Sequence, residues 1–289
     1  MDEKIAFAVI GGSGLYSMPG LEDVVEIDPE TPFGSPSAPV VLGTLEGRRI
    51  AFLARHGIGH HLSPTEVNYR ANILALKALG VDRVVSISAC GSLREDFAPG
   101  HIVIPDQIFD NTHLRPRSFF GNGLVAHISV AEPYCSDLSN QLHEAVLKTG
   151  ATVHLGGSLI TIEGPRFSTK AESNVYRSWG LSIIGMTASP EAFLAREAEM
   201  CYTTMAHVTD YDVWHVSVEP VSVEMVIQTL NQNTKVAQDA IREMALGFEE
   251  KRECACGDAL ASALITNPAA VPSETLTKLD LLVGKYMKK

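Results

Sequence analysis

The chain has 289 residues, 45% of them hydrophobic, five cysteines and a formal net charge of −11 at pH 7. That length suffices for one large α/β domain or two small ones, folding without covalent staples. The acidic balance excludes a nucleic-acid or anionic-membrane surface, because such partners need a basic footprint to displace counterions, and an odd, dispersed set of cysteines fits a reducing compartment better than a disulfide framework.

The opening MDEKIAFAVIGG is acidic and its apolar run is short, so neither a signal peptide nor a membrane span is expected, and the expected location is cytoplasmic. The first predicted strand, residues 5–10, meets GGSG. There Gly11, Gly12 and Gly14 let backbone approach a ligand while Ser13 offers a hydroxyl and an amide to an anion, although a plain tight turn explains the same residues. A dinucleotide fingerprint is not completed, since Ser17 occupies its third glycine position. The next strand, 48–54, runs into Arg55, His56, His60 and His61. No carboxylate or cysteine stands among these histidines, which argues against a metal. The Arg55 fork matches phosphate oxygens and His56 adds a donor, with a solvated loop as the plain alternative.

Strand 83–88 leads into the small residues Ser88, Ala89, Cys90 and Gly91, whose amides can face a ligand. Cys90 has no adjacent base to activate it and reads as a structural thiol. Strand 157–162 meets EGPRF, where Glu163 is an acceptor and Phe167 is either a stacking face or core. Thr169 and Glu172 are spaced as a capping box, and after strand 181–185 Ser189 can cap a helix whose first residue is Pro190. The last predicted strand, 203–208, is followed by a long helical pattern over 221–244 with Val223, Val226, Ile227, Leu230 and Ala240 on one side. CAC at 254–256 is a pair able to oxidise or to hold a soft metal, but no second Cys/His pair accompanies it in the sequence, so no metal site is expected.

No linker, repeat or composition break divides the chain. Strand and helix alternate throughout, which predicts a single α/β domain over 1–289 with a largely buried sheet and a helical tail from about 250. All six predicted strands end in polar or small residues, and ligands of α/β sheets collect at the carboxyl ends of strands. The last end is the most telling. HVTDYDVW closes an apolar run with Asp210 and Asp212, and carboxylates there imply something waiting to share a hydrogen bond or a proton.

Taken in order, IGGSGL, TPFGSPS, ARHGIGHHLSPTEVNYRANI, ACGSLREDFAPGHIVIPDQ, HISVAEPYC, TIEGPRFSTKAES, GMTASPEAFLAREAEMCY and VTDYDVW closely resemble the trimeric purine nucleoside phosphorylase family, in its S-methyl-5′-thioadenosine phosphorylase branch, over about residues 8–245. CACGDALASALIT resembles the tail of bacterial and archaeal members. The resemblance implies a central mixed, twisted sheet flanked by helices, and a phosphorolysis that needs inorganic phosphate but no organic cofactor or metal. It implies a phosphate site of Ser13, Arg55, His56, Ser88, Ala89 and Thr187. Met186 would lie on the ribose, Phe167 on the adenine, and Val223, Val226 and Ile227 on the methylthio group, with Cys90, Gly91 and Gly185 also among the substrate-binding residues. His127 would reach in from a neighbouring subunit of a homotrimer or hexamer. Asp210 would protonate the departing purine, with Asp212 either contacting the amino group or holding Asp210. Gly185 departs from the Asn often found there, which keeps a sister activity on 6-oxopurine nucleosides or methylthioinosine as the alternative. An inactive nucleoside-binding module is disfavoured by Arg55, His56, Asp210 and Asp212 occurring together.

Overall fold

The computed structural model describes residues 4–12, 14–15, 17–215 and 223–287, the side chains of 224–232 lying outside the description. Among the described residues, eleven strands form one mixed sheet: β1 (Ile5–Gly11), β2 (Glu22–Ile27), β3 (Val40–Leu45), β4 (Arg48–Ala54), β5 (Arg83–Ser92), β6 (Ile102–Ile104), β7 (Gln107–Asn111), β8 (Val153–Leu155), β9 (Ser158–Ile162), β10 (Ile183–Gly185) and β11 (Cys201–Asp210). Around it, among the described residues, lie α1 (Tyr69–Ala78), α2 (Ser136–Lys148), α3 (Lys170–Ser178), α4 (Ala188–Glu197), α5 (Val223–Leu246) and α6 (Ser273–Met287).

β1 is buried along its whole length and pairs in parallel with both β4 and β5, as expected of a strand covered on both faces. Its residues alternate between two apolar masses. Ala8 and Ile10 join Ile73, Leu76, Leu194 and Leu282 on the side of α1, α4 and α6, whereas Phe7 and Val9 join Leu142, Ile241 and Phe248 on the side of α2 and α5. All six strands expected from the sequence form, and β5 and β11 run further than expected, to Ser92 and Asp210. β2, β3, β6, β7 and β8 escape a sequence reading for physical reasons. β2 is an exposed edge strand whose acids interrupt any apolar alternation, and β6 and β8 have three residues each.

The sheet forks at β5. β1 pairs with it only as far as Ile10 opposite Ser86, β10 joins antiparallel at Gly91 and Ser92, and β11 follows it from Arg83 to Gly91. Residues 87–90 therefore have a strand on one edge only. The capping box of α3 forms as expected, with Thr169 Oγ1 accepting from Glu172 N at 3.2 Å and Glu172 Oε2 from Thr169 N at 2.7 Å. Ser189 keeps extended backbone, φ −99° and ψ 134°, so the regular turns of α4 begin at Pro190. In the tail, 3₁₀ turns at Ala255–Asp258 and Pro268–Ala270 precede α6, which starts just after Pro272.

Candidate active site

The free edge at residues 87–90 is where the chain directs its polar strand ends. Arg55, just past β4, donates its amide to Gly11 O at the end of β1 at 3.0 Å. Gly185, ending β10, lies so close that a Cβ on it would sit 3.9 Å from Ala89 O, which is ordinary contact. Three strand ends thus converge on the open stretch of β5, the kind of split at which α/β sheets bind ligands. Ser88 and Ala89 there are half-buried, and Cys90 is 3% exposed, its thiol pushed well up by burial and then by Asp210. Cys90 is accordingly a structural thiol.

Across the fork stand the two acids. Register slips in β11 between Val208 and Asp210, a bulge of the sort that re-aims a side chain beside a functional centre. Gly91 opposite has no Cβ because one would meet Asp210 Oδ1 and Ile184 Cγ2 at 3.0 Å. Asp210 is 7% exposed; burial lifts its carboxyl above the usual range, and hydrogen bonds from Thr209 Oγ1 (2.6 Å to Oδ2) and Asp212 N (2.7 Å to Oδ1) pull it partly back. Thr209 Oγ1 also lies 3.2 Å from Cys90 O. One hydroxyl hydrogen with two acceptors suits both states of the carboxyl. It points at Asp210 when that group is ionised and at Cys90 O when Asp210 carries a proton, leaving the threonine oxygen to accept. Asp212, at φ +50°, is also raised, by burial first and by the Asp210 charge as well, while Ser173 opposes the shift. Its buried Oδ2 makes no hydrogen bond among the described residues.

Arg55 is 2% exposed and its guanidinium is heavily committed. Nε and Nη2 hold Glu191 at 2.8 and 2.9 Å, Nη2 also reaches Ser86 Oγ and Ile10 O, and Nη1 donates to Ile87 O at 3.1 Å. Of its five N–H donors, one on Nη1 has no acceptor among the described residues. Burial works against its charge and Glu191 more than restores it. His56 stacks on His60, ring centroids 4.3 Å apart, and its Nδ1 lies 2.8 Å from Leu62 O. Because a carbonyl only accepts, Nδ1 carries the proton and Nε2 presents a lone pair. Burial, then the Arg55 charge, lowers His56 to about 4, so the ring is neutral at pH 7.

Two residues that sequence reasoning missed hold this together. Glu191, fully buried on α4, also accepts from Tyr202 Oη at 2.8 Å. An acid inside the apolar stretch around SPEAFLA was the available signal. Arg115 is 4% exposed and donates to Met186 O (2.6 Å), Ser189 O (2.7 Å) and Glu163 O (2.7 Å), tying the loop after β9 to the loop after β10. Nothing in HLRPRSF announced it. Glu163 is the acceptor anticipated from sequence. Burial opposes its charge, but Thr65 Oγ1, the amides of His113 and Leu114, and Arg115 hold its carboxyl down at about 2.

Thr187 is buried, lies three residues before the regular turns of α4 and makes no side-chain capping bond, while half-buried Met186 precedes it. Phe167, 39% exposed, presents a ring rather than joining the core. Val223 is exposed at the start of α5; Val226 and Ile227 lie on that helix with side chains outside the described residues, and Ser13 lies outside them altogether. His127 is exposed on a segment tied to the tail by its amide, which donates to Ala263 O at 2.9 Å. A separate cleft lined by Asp137, Glu144, Lys148 and Glu243 lies between α2 and α5 and receives no strand end.

A family model described as the phosphorylase superfamily matches residues 6–245, which contain the fork and both acids. Fold and site together define a pentosyltransferase of the purine nucleoside phosphorylase type. The chain is 56% identical over 280 residues to an S-methyl-5′-thioadenosine phosphorylase of Geobacter sulfurreducens, covering 96% of this chain and 98% of that protein. To a protein of the same name from Koribacter versatilis it is 53% identical over 278 residues, covering 96% and 95%. Among solved structures, a methylthioadenosine phosphorylase from an antarctic soil metagenomic library superposes with TM-score 0.92 at 45% identity, covering 97% of this chain and 99% of that one. The Schistosoma mansoni methylthioadenosine phosphorylase in complex with adenine gives 0.83 at 35% identity, covering 90% and 97%. The chain belongs to the phosphorylase superfamily, among its S-methyl-5′-thioadenosine phosphorylases.

Proposed function

We propose that the chain catalyses phosphorolysis of S-methyl-5′-thioadenosine to adenine and 5-methylthioribose 1-phosphate, with adenosine a slower substrate. The observation that carries this reading is the pair of buried, upward-shifted carboxyls of Asp210 and Asp212 beside the open edge of β5. An N-glycosidic bond breaks slowly in water because the purine leaves as an anion while the sugar becomes an oxocarbenium ion. A proton delivered by Asp210 to N7 removes the first difficulty, and general acids of this kind contribute about 10²- to 10⁴-fold. Phosphate removes the second by stabilising the cationic sugar and then bonding to its C1′.

In this reading phosphate lies against Ser13, Ser88, Ala89 and Thr187, whose hydroxyls and amides donate to its oxygens. Arg55 offers its remaining Nη1 hydrogen and a charge fixed by Glu191. Neutral His56, with a lone pair at Nε2, accepts from the hydroxyl of hydrogenphosphate. Met186 faces the ribose; Phe167, Cys90, Gly91 and Gly185 surround the base; Val223, Val226 and Ile227 meet the methylthio group, with His127 of a neighbouring subunit. Asp212 Oδ2, which makes no hydrogen bond among the described residues, suits the 6-amino group. A 6-oxopurine presents an acceptor there, and sites left with unpaired buried groups reject the wrong ligand by about 10⁴- to 10⁵-fold. The apolar 5′ pocket rejects an added hydroxyl by only about 10².

The reading extends to a single phosphorylase domain with its tail docked on it, assembled as a trimer or hexamer, acting in purine and methionine salvage in the cytoplasm. Its site uses no organic cofactor or metal. No helix among the described residues is long and apolar enough to cross a membrane. The test is an ultraviolet assay of base release from methylthioadenosine, adenosine, methylthioinosine and inosine, with and without phosphate. Phosphate-dependent release should be fastest from methylthioadenosine; faster cleavage of methylthioinosine would overturn the base-selection argument.

A further inference from the structure

At the end of β11 opposite Asp210, four of the five cysteines come together. The Sγ atoms of Cys135, Cys201, Cys254 and Cys256 all lie within 4.8 Å of one another. They come from three places in the chain: the N-cap of α2, the first residue of β11, and the 3₁₀ turn of the tail. The sequence showed only the CAC pair, and folding supplies the second pair. We propose that these four thiolates form a structural site for one zinc ion, or another soft d¹⁰ ion, that fastens residues 254–256 to α2 and β11.

Four observations carry this. A tetrahedral Zn–S₄ centre with bonds of about 2.3 Å places its sulfurs about 3.8 Å apart, within the spread seen here. The shortest contact, Cys201 to Cys254 at 3.3 Å, is a non-bonded approach, and all five cysteines are free. Cys135, Cys201 and Cys256 are 3%, 1% and 4% exposed and Cys254 is partly open, so three ligands are sheltered and one admits the ion. Cys135 stands at a helix N-cap and makes no capping bond there, although Ser, Thr, Asp or Asn would satisfy the helix better; its sulfur is committed to the cluster instead. Finally, Arg196 Nη1 donates to Cys256 Sγ at 3.3 Å, and the Arg252 guanidinium lies beside Cys254. Cations in that second layer offset the net charge of −2 that a divalent ion with four thiolates carries.

The balance is simple. One divalent ion enters, four S–H protons go to solvent, four metal–sulfur bonds form, and nothing is oxidised or reduced. Nine residue steps along β11, about 30 Å, separate Cys201 from Asp210, so the ion takes no part in the chemistry.

The full-length protein, purified reduced and dialysed against zinc, should hold about one ion per chain by plasma mass spectrometry. Anaerobic exchange into cobalt(II) should bring near-ultraviolet thiolate-to-cobalt charge transfer and the visible bands of a tetrahedral ion. Cys254→Ser should weaken binding by at least about 10- to 100-fold, the cost of losing even an outer-layer partner, whereas Cys90→Ala, outside the cluster, should keep the stoichiometry. If Cys254→Ser does not fold, the cobalt spectrum of the unaltered protein decides. Retention of less than about a tenth of an equivalent after dialysis overturns the proposal, as does an octahedral cobalt spectrum. An intact mass four hydrogens below the reduced chain, restored only by reductant, does the same, because it means two disulfides.

Discussion

Thr209 has one hydrogen to give and two acceptors within reach, Asp210 Oδ2 and Cys90 O. That arrangement lets a buried carboxyl exchange a proton without leaving a polar atom stranded, and it yields separable expectations for neighbouring side chains. Asp210→Asn keeps the shape and removes the acid. Turnover on methylthioadenosine should fall by about 10²- to 10⁴-fold while the far-ultraviolet circular dichroism is unchanged; near-normal turnover would remove Asp210 from the mechanism. Thr209→Val keeps the volume and removes the donor that lowers Asp210. The carboxyl should then hold its proton to higher pH, so the alkaline limb of kcat/KM governed by Asp210 should move up. A downward shift would mean that Thr209 stabilises the protonated form instead. At this scale Asp210 was legible in the sequence because an acid ending an apolar run is costly unless used, while Thr209 was not, since a threonine inside a strand carries no such cost.

Elements place these groups through two devices, the bulge in β11 and the bare backbone of Gly91 across from it. Gly91→Ala puts a methyl 3.0 Å from Asp210 Oδ1 and from Ile184 Cγ2 and 3.2 Å from Asp212 Cβ. Strands on both sides of β5 restrict relaxation, so about 1–3 kcal/mol of stability should be lost by urea titration, with a fall in kcat. A variant with wild-type stability and turnover would show that the acids do not need this approach. α4 is anchored differently, by the ion pair of Arg55 with Glu191, whose side chains are 3% and 0% exposed. Glu191→Gln leaves a buried guanidinium uncompensated and should cost about 3–5 kcal/mol; a loss below about 1 kcal/mol would mean that solvent reaches Arg55. The strands carrying the site were legible because each is a β-rich run ending in small or polar residues. The fork was not, because where β1 stops and β10 starts along β5 depends on pairings between residues far apart in the chain, such as Ile10 with Ser86 and Ile184 with Gly91.

Across the whole molecule, buried titratable groups set how stability follows pH. His207, 1% exposed with neither ring nitrogen hydrogen-bonded among the described residues, is lowered by burial to about 4, as His56 is by burial and Arg55. Both rings bind protons more weakly folded than unfolded. Stability held above about pH 6.5 is therefore lost as pH falls toward 4, at up to about 1.4 kcal/mol per pH unit for fully buried His207 and less for half-buried His56, where solvent screens the shift. Glu197, raised by burial to about 7, works oppositely: between about 7 and 4.5 its folded form takes the proton first and stability rises as pH falls. His207→Leu should flatten the dependence of the urea midpoint on pH between 6.5 and 4.5 with little change at pH 7.5. An unaltered slope would show that His207 does not titrate in that window.

Composition, strand ends and motif order by themselves determined the α/β class, the six central strands and the family resemblance, and they nominated the residues of the candidate site. Each is either a local pattern of burial against exposure or a run of residues whose chemistry has few uses. Only the tertiary structure decided that Arg55 is spent largely on Glu191, that Arg115 clasps two loops, and that Cys135 and Cys201 meet the CAC pair. The physical reason is common to all three. A buried polar or thiol group is defined by its partners, and those partners come from distant segments that the sheet brings together only on folding.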